Sequence, residues 1–109
     1  MGSTYADFTR MGSMSTTVGD ITGTVAAGHA NIIKGMWIAN NSTVTLKTEI
    51  IYNTTAAFVL IPYVESIPAG DALVLENLNI PLPEGRSITG RAESTSASYL
   101  LWGVDEYST

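Results

Sequence analysis

The chain has 109 residues, and 45% of them are hydrophobic while only 14% are charged, with a formal net charge of −5. A chain of this length has room for one domain with one core, which excludes a catalytic domain beside a separate binding domain. The five basic residues stand singly, so no basic patch is available to neutralise phosphates, and nucleic-acid binding is not expected. With no cysteine, the chain has neither a disulfide framework nor a thiolate metal site.

The low charge has two explanations of equal weight. Either the surface is partly covered by neighbouring molecules, or the composition is simply that of a β-rich domain. The N-terminus lacks the cationic start and apolar stretch of a signal peptide, and no apolar run approaches the roughly 20 residues of a membrane span. We therefore expect a protein that is made and used without export, and no membrane partner.

The first sixteen residues show neither helical nor strand periodicity, and we interpret residues 1–16 as an extended N-terminal arm. A disordered terminus is the commoner fate of such a segment. An apolar series at a spacing of three runs through it, however: Tyr5, Phe8, Met11 and Met14. A disordered tail does not need such a series, so we predict an arm that docks through these four side chains.

From residue 17 onward, short β-branched and aromatic runs alternate with Gly, Asn and Pro. About seven such runs are present, over residues 17–25, 31–39, 43–50, 56–64, 72–75, 87–92 and 98–105. No long stretch keeps the 3.6-residue period of a helix. The sequence therefore predicts an all-β domain over residues 17–109, a single antiparallel β-sandwich of about seven strands.

Prolines and glycines refine this prediction. Pro62 lies inside the fourth run and cannot donate a ladder hydrogen bond, which indicates an edge strand or a bulge there. Residues 67–71 and 82–86 each place a Pro two positions before a Gly, a spacing typical of tight turns in which Gly adopts positive φ.

Catalytic patterns are missing from the sequence. The single histidine, His29, has no paired-His or HExxH context, and we interpret it as a surface or turn residue. The ten carboxylates are dispersed, so any acid–base pair would have to be assembled by the fold. No nucleophile elbow, phosphate loop or dinucleotide fingerprint occurs. We therefore expect no enzyme, with no catalytic residue, cofactor or metal.

Both tryptophans lie in runs that are apolar at odd and even positions alike, namely Trp37 in the second run and Trp102 in the last. A small chain cannot easily bury both faces of such strands within itself. The two faces are covered either by the sandwich interior together with the N-terminal arm or by a subunit interface, where Trp, Tyr and Met are favoured. We predict that Trp37 and Trp102 are interface residues of a homo-oligomer, either a dimer or a trimer.

Three segments carry a family resemblance: residues 38–40 read IAN, residues 66–75 read SIPAGDALVL and residues 82–88 read LPEGRSI. In this order they resemble small virion proteins of tailed bacteriophages, in which an ANxT-like strand end, a (V/I)PAGxxLVL segment and an LxxGDxI corner recur. The likeness covers roughly residues 32–104. Arg86 departs from it, because the corner usually carries an acidic residue there.

The resemblance implies an immunoglobulin-like or related β-sandwich in the phage particle. We expect a capsid decoration (cement) protein on the capsid surface of the virion, made in the host cytoplasm and contacting itself and the major capsid protein or other virion proteins. A neck or tail component is an alternative that the sequence does not separate. A carbohydrate-binding β-sandwich is another, since exposed Trp and Tyr can stack on sugars; a small hydrolase would need a constellation that the sequence does not show.

Overall fold

The computed structural model describes residues 3–108, and the side chains of residues 3–63 and 66–107. Nine β-strands fill this range: β1 (Ser3–Ser13), β2 (Gly19–Asp20), β3 (His29–Asn40), β4 (Leu46–Asn53), β5 (Ala57–Ile67), β6 (Ala72–Leu75), β7 (Ile80–Pro83), β8 (Ser87–Ala92) and β9 (Ala97–Ser108). Between residues 3 and 108 no helix is long and apolar enough to cross a membrane. Residues 1 and 2 of the predicted arm and residue 109 of the predicted sandwich lie outside the described residues.

The strands form two antiparallel sheets. The first, here the long sheet, has the order β1-β9-β3, with β6 and β7 both paired to the far side of β3; the second, the short sheet, has the order β2-β8-β4-β5. Strands from the two ends of the chain pair with each other, from the outside inward: β1 pairs with β9, β2 with β8, β3 with β7 and β6, and β4 with β5. It is therefore one long hairpin rolled into two layers, which is a jelly roll.

The predicted all-β class and the single antiparallel β-sandwich are confirmed. The two-layer packing is that of an immunoglobulin-like sandwich, whereas the strand order is that of the jelly roll. Alternate side chains of both sheets point between the layers and form one core. Its fully buried members include Ile33, Ile38, Ile50, Leu82, Ile88 and Leu101.

Residues 3–13 make up most of the extended N-terminal arm that the sequence predicts. They are extended, but as β1 they pair with β9 in unbroken register, from Ser3 opposite Ser108 to Ser13 opposite Ser98. Met14 continues this pairing, since its N–H donates to the Ala97 carbonyl at 2.7 Å. The strand pattern is hidden in the sequence because most of this edge strand is exposed, so polar residues occur at both parities. The division of the chain at residue 16 stays a prediction.

The first predicted strand, over residues 17–25, is wrong for most of its length, since only Gly19–Asp20 pairs as a strand. The remainder is a loop held over the core by backbone hydrogen bonds, for example from Val25 N–H to the Arg86 carbonyl at 3.0 Å. Its apolar side chains Ile21 and Val25 enter the core from this loop. Gly23, with φ of 70°, interrupts the extended backbone.

The turn and edge predictions are confirmed. Gly70 and Gly85 have φ values of 71° and 82°, as the two Pro/Gly corners require. Pro62 lies in β5, an edge strand whose register against β4 shifts on both sides of Ile50. The strand β7 has no counterpart among the predicted runs, because its two prolines argue against a strand.

Candidate interaction surface

The outer face of the long sheet is the surface that faces away from the core. Residues directly opposite each other in antiparallel strands point to the same side of a sheet. Met36 and Leu101 are opposite each other and both lie in the core. Their sequence neighbours Trp37 and Leu100, which are also opposite each other, therefore point outward.

Four apolar side chains form a continuous line across this outer face. Met11 in β1 lies opposite Leu100 in β9, Leu100 lies opposite Trp37 in β3, and Trp37 lies opposite Val74 in β6. Met11 is 71% exposed, Trp37 44% and Val74 42%, while Leu100 is half-buried. We call these four residues the apolar row. It spans the sheet from one edge to the other and exposes apolar surface to solvent.

Trp102 extends the apolar surface by one step along β9. It lies opposite Thr9 on one side and Gly35 on the other, so it shares the outer face with the apolar row. Its indole occupies the space that a side chain at position 35 would fill, which keeps it half-buried. A depression of about 250 Å³ adjoins the row and is lined by Trp37, Ala39, Ser98, Tyr99 and Leu100.

The six predicted interface residues separate into two groups. Tyr5, Met11, Trp37 and Trp102 lie on the outer face of the long sheet, although they come from three different strands. Phe8 points the other way and packs against the core, and Met14 is a core residue, only 2% exposed. Their interface role stays a prediction. Sequence reasoning did not identify Val74 and Leu100 as members of this surface. The only indication for each was an apolar residue at a strand position whose side chain points outward.

Tyr5 also contacts a charged group on the outer face. It lies opposite Glu106, and a hydrogen bond to the Glu106 carboxylate, together with the negative charge of that carboxylate, raises the pKa of the Tyr5 hydroxyl. A proton is harder to remove when the resulting phenolate would face a carboxylate. Tyr5 is therefore held neutral, and its ring stands in solvent at the far end of β1.

A polar pocket of about 250 Å³ opens on the inner side of the long sheet. His29 begins β3 there; its Nδ1 lies 2.9 Å from Oδ2 of Asp105, and its ring stacks on Tyr107 at 5.2 Å. Asn31 lines the same pocket, and its Oδ1 is buried without a hydrogen-bond partner in the described residues. The sequence could not show this cluster, since His29 and Asp105 meet only through the pairing of β3 with β9. Among the described residues, no group of three or more His, Asp or Glu is placed to hold a metal ion.

No protein-family model matches this sequence, and no curated protein matches it. Among solved structures, the chain is similar to a protein of Bacillus endospore appendages, described as disulfide-linked pili, with 12% identity over 97% of this chain and 88% of that chain and a TM-score of 0.51. It is also similar to a pentameric capsid protein from metagenomic phage sequences, with 13% identity over 94% of this chain and 62% of that one and a TM-score of 0.35.

A third similarity is to a protein of infectious bursal disease virus, with 7% identity over 96% of this chain and 32% of that chain and a TM-score of 0.48. At these identities the likeness concerns the fold alone, and the appendage protein, matched over nearly its whole length, supports the β-sandwich. The fold and the apolar row together define a small β-sandwich protein with a line of exposed apolar side chains across one sheet.

Proposed function

We propose that this chain is a non-enzymatic structural protein of a bacteriophage virion, and that it decorates the capsid as a cement protein. The observation that carries the proposal is the apolar row on the outer face of the long sheet. Interface cores are enriched in Trp and Met and depleted in charge, and the row contains both residue types and no charge. The resemblance of residues 66–75 and 82–88 to segments of small phage virion proteins supports a phage particle as the assembly in which this interface forms.

The gain from covering this surface is substantial. Complete burial of an exposed Val, Leu or Met side chain contributes roughly 1.5–3 kcal/mol. Trp37 stands near the middle of the row, and central Trp residues often carry much of the binding energy of an interface. The chain measures 52 × 25 × 19 Å, so an elongated sheet face is available to bridge neighbouring subunits of a shell.

A second candidate is a subunit of a fibre, ring or tube, which includes the neck and tail alternatives. The similarity to the endospore appendage protein over nearly the whole of both chains favours it, because that protein is described as forming pili. The two candidates differ in copy number per particle. A cement protein is present in numbers comparable with the shell protein, whereas a neck or tail component is present in far fewer copies.

The proposal is tested by mixing the full chain with particles of the encoding phage that lack it and measuring co-sedimentation. We expect Trp37→Lys to abolish binding, because a lysine in the row would be buried without a partner. The matched control is Phe58→Lys, which adds the same charge at an exposed aromatic residue of the short sheet and should bind normally. Equal binding by Trp37→Lys and the parent would overturn the role of the row.

Copy number decides between the candidates. Quantitative mass spectrometry of purified particles should give the chain and the shell protein in comparable amounts, and a much smaller amount would favour the neck or tail alternative. The carbohydrate-binding alternative stays a prediction, and a glycan array with the parent and Trp37→Lys tests it. Glycan binding that is lost in this variant would contradict the structural role.

A further inference from the structure

The four sheet edges differ in how they are protected against pairing with another chain. Natural sheets block their edges with short strands, prolines or bulges. In the short sheet, β2 has only two residues, and β5 carries Pro62 and an irregular register. At the far edge of the long sheet, β6 and β7 have four residues each, and β7 contains two prolines.

The edge formed by β1 has none of these devices. It is 11 residues long, contains neither Pro nor Lys, and keeps an unbroken register against β9. Only Asp7 and Arg10 are charged in it. Such an edge is a template for another strand. Of the edges described, β1 is therefore the one that none of these devices blocks.

The direction of the backbone groups in β1 follows from the residue that continues it. Met14 donates its N–H to Ala97 of β9, so the even-numbered residues of the strand bond to β9. In an antiparallel pair, alternate residues bond to opposite neighbours. The N–H and C=O groups of the odd-numbered residues, 3 to 13, consequently point to the open edge. The side chain of Arg10 reaches one of them, the Thr9 carbonyl, at 3.3 Å.

Two pairs of positions in β1 carry similar residues on either side of Phe8. Tyr5 and Met11 stand three positions on either side of it, and Ser3 and Ser13 stand at the two ends. If a second β1 is laid antiparallel to the first with Phe8 at the centre, the serines at the strand ends meet each other and so do the exposed apolar residues. Ser3 meets Ser13 and Tyr5 meets Met11, while Asp7 meets Thr9 and Arg10 meets Ala6. No like charges lie opposite each other.

We propose that two copies of this chain form a twofold dimer by antiparallel pairing of β1 with β1, centred on Phe8. The odd-numbered residues would then exchange roughly twelve backbone hydrogen bonds across the twofold axis, two for each opposed pair. A shift that centres the pairing on Asp7 brings the two Asp7 carboxylates together, and one that centres it on Arg10 brings the two guanidinium groups together. Charge therefore favours the register about Phe8 over these two.

Dimerisation would also lengthen the apolar surface of the outer face. Met11 ends the apolar row at the open edge, and in the proposed register Tyr5 of the second copy lies directly opposite it. Each row thus gains an aromatic ring, and the dimer carries two rows related by the twofold axis. The inference rests on the proposed structural role in naming a second copy as the partner, but the dimer can be measured without any particle.

The first experiment measures the dimer dissociation constant of the full chain by sedimentation equilibrium. Thr9→Asp places a carboxylate opposite Asp7 at two symmetric places and should weaken the dimer by roughly tenfold, whereas Thr9→Lys should strengthen it several-fold. Ser13→Asp adds the same charge opposite Ser3 and should change the constant by less than about threefold. A monomeric parent, or equal effects of Thr9→Asp and Ser13→Asp, would overturn the proposal.

The second experiment is disulfide trapping, which is clean because the chain has no cysteine. Ala6 and Arg10 are opposite each other across the proposed dimer, as a pair of the close, non-hydrogen-bonded type with Cα atoms about 4.5 Å apart, within disulfide range. A mixture of Ala6→Cys and Arg10→Cys should cross-link on oxidation. Each variant alone should not, because identical positions are about 14 Å apart in this register.

Both cysteine positions are exposed, so the variants should keep the fold. Cross-linking of either variant alone to the same extent as the mixture would contradict the register. The results also separate the β1 dimer from the cement role: a dimer that does not bind particles leaves the β1 pairing intact and removes the cement role, and particle binding by a monomer does the reverse.

Discussion

Trp102 in β9 lies directly against the backbone of Gly35 in β3, and its indole ring fills the space that a Cβ at position 35 would occupy. The contact is on the outer face of the long sheet, next to the point where the register of β3 and β9 shifts between Ile33 and Gly35. Glycine is needed here for the close approach of the ring, not for an unusual backbone angle. The pair fixes Trp102 beside the apolar row.

Gly35→Ala should therefore destabilise the chain by about 1–3 kcal/mol, because the added methyl group forces the indole to move. Chemical denaturation measures the free energy of unfolding, and Trp fluorescence reports the displaced ring. The control is the same substitution in a Trp102→Ala background, where the space is empty and the cost should fall below about 1 kcal/mol. An equal cost in both backgrounds would show that the contact does not restrict position 35.

Two methionines three positions apart should respond differently to truncation. Met14 is buried in the core, so Met14→Ala should lower the free energy of unfolding by about 2–5 kcal/mol. Met11 is largely exposed, and Met11→Ala should change it by no more than about 0.5 kcal/mol. Urea denaturation of both variants measures the difference. Similar stabilities would mean that the segment after β1 is not packed into the domain.

Asn40 is a buried polar residue that ties two loops to the end of β3. Its Nδ2 donates to the carbonyls of Val44 and Ile67, both at 2.8 Å, and its Oδ1 accepts from the N–H of Ser42 at 2.9 Å. Asn40→Ala leaves these groups without partners and should cost about 2–4 kcal/mol. Asn41→Ala removes one exposed bond and should cost less than about 0.5 kcal/mol. Thermal unfolding of the two variants measures the difference in stability. Equal melting temperatures would show that the hydrogen bonds of Asn40 do not hold the two loops to β3.

The sequence predicted best where a strand is regular and one-sided. For β6 and β8 the predicted limits, 72–75 and 87–92, coincide with the observed ones. In β3 the apolar residues occur at both parities because of the register shift: Ile33 and Met36, three apart, both point into the core. A bulge cannot be read from apolar spacing alone, since it changes the period at a single residue.

The candidate surface could be predicted only in part, for a similar reason. The exposed aromatic and Met side chains were visible in the sequence, but their alignment was not, because the apolar row joins residues from 11 to 100 through three strand pairings. Phe8 and Met14 shared the same spacing as Met11 and yet point inward. Which side of the sheet a residue faces is set by register, which depends on long-range pairing.

The pairing of Tyr5 with Glu106 has a consequence at alkaline pH. The carboxylate raises the pKa of the Tyr5 hydroxyl above its ordinary value, so the folded chain holds this proton at a pH where the unfolded chain releases it. The stabilisation is fully present below the pKa of an unfolded Tyr and is lost as the pH rises through the higher, folded value. Glu106→Gln removes the charge, so the pKa of Tyr5 should fall toward 10.

Titration of the Tyr5 ring carbon by NMR measures this pKa in the parent and in Glu106→Gln, and the Tyr5 curve should move to lower pH in the variant. Because Tyr5 is exposed, the shift should also shrink when salt screens the carboxylate. A Tyr5 curve that is the same in both proteins would mean that its ring does not lie against Glu106, and the register of β1 against β9 would then need to change at this end.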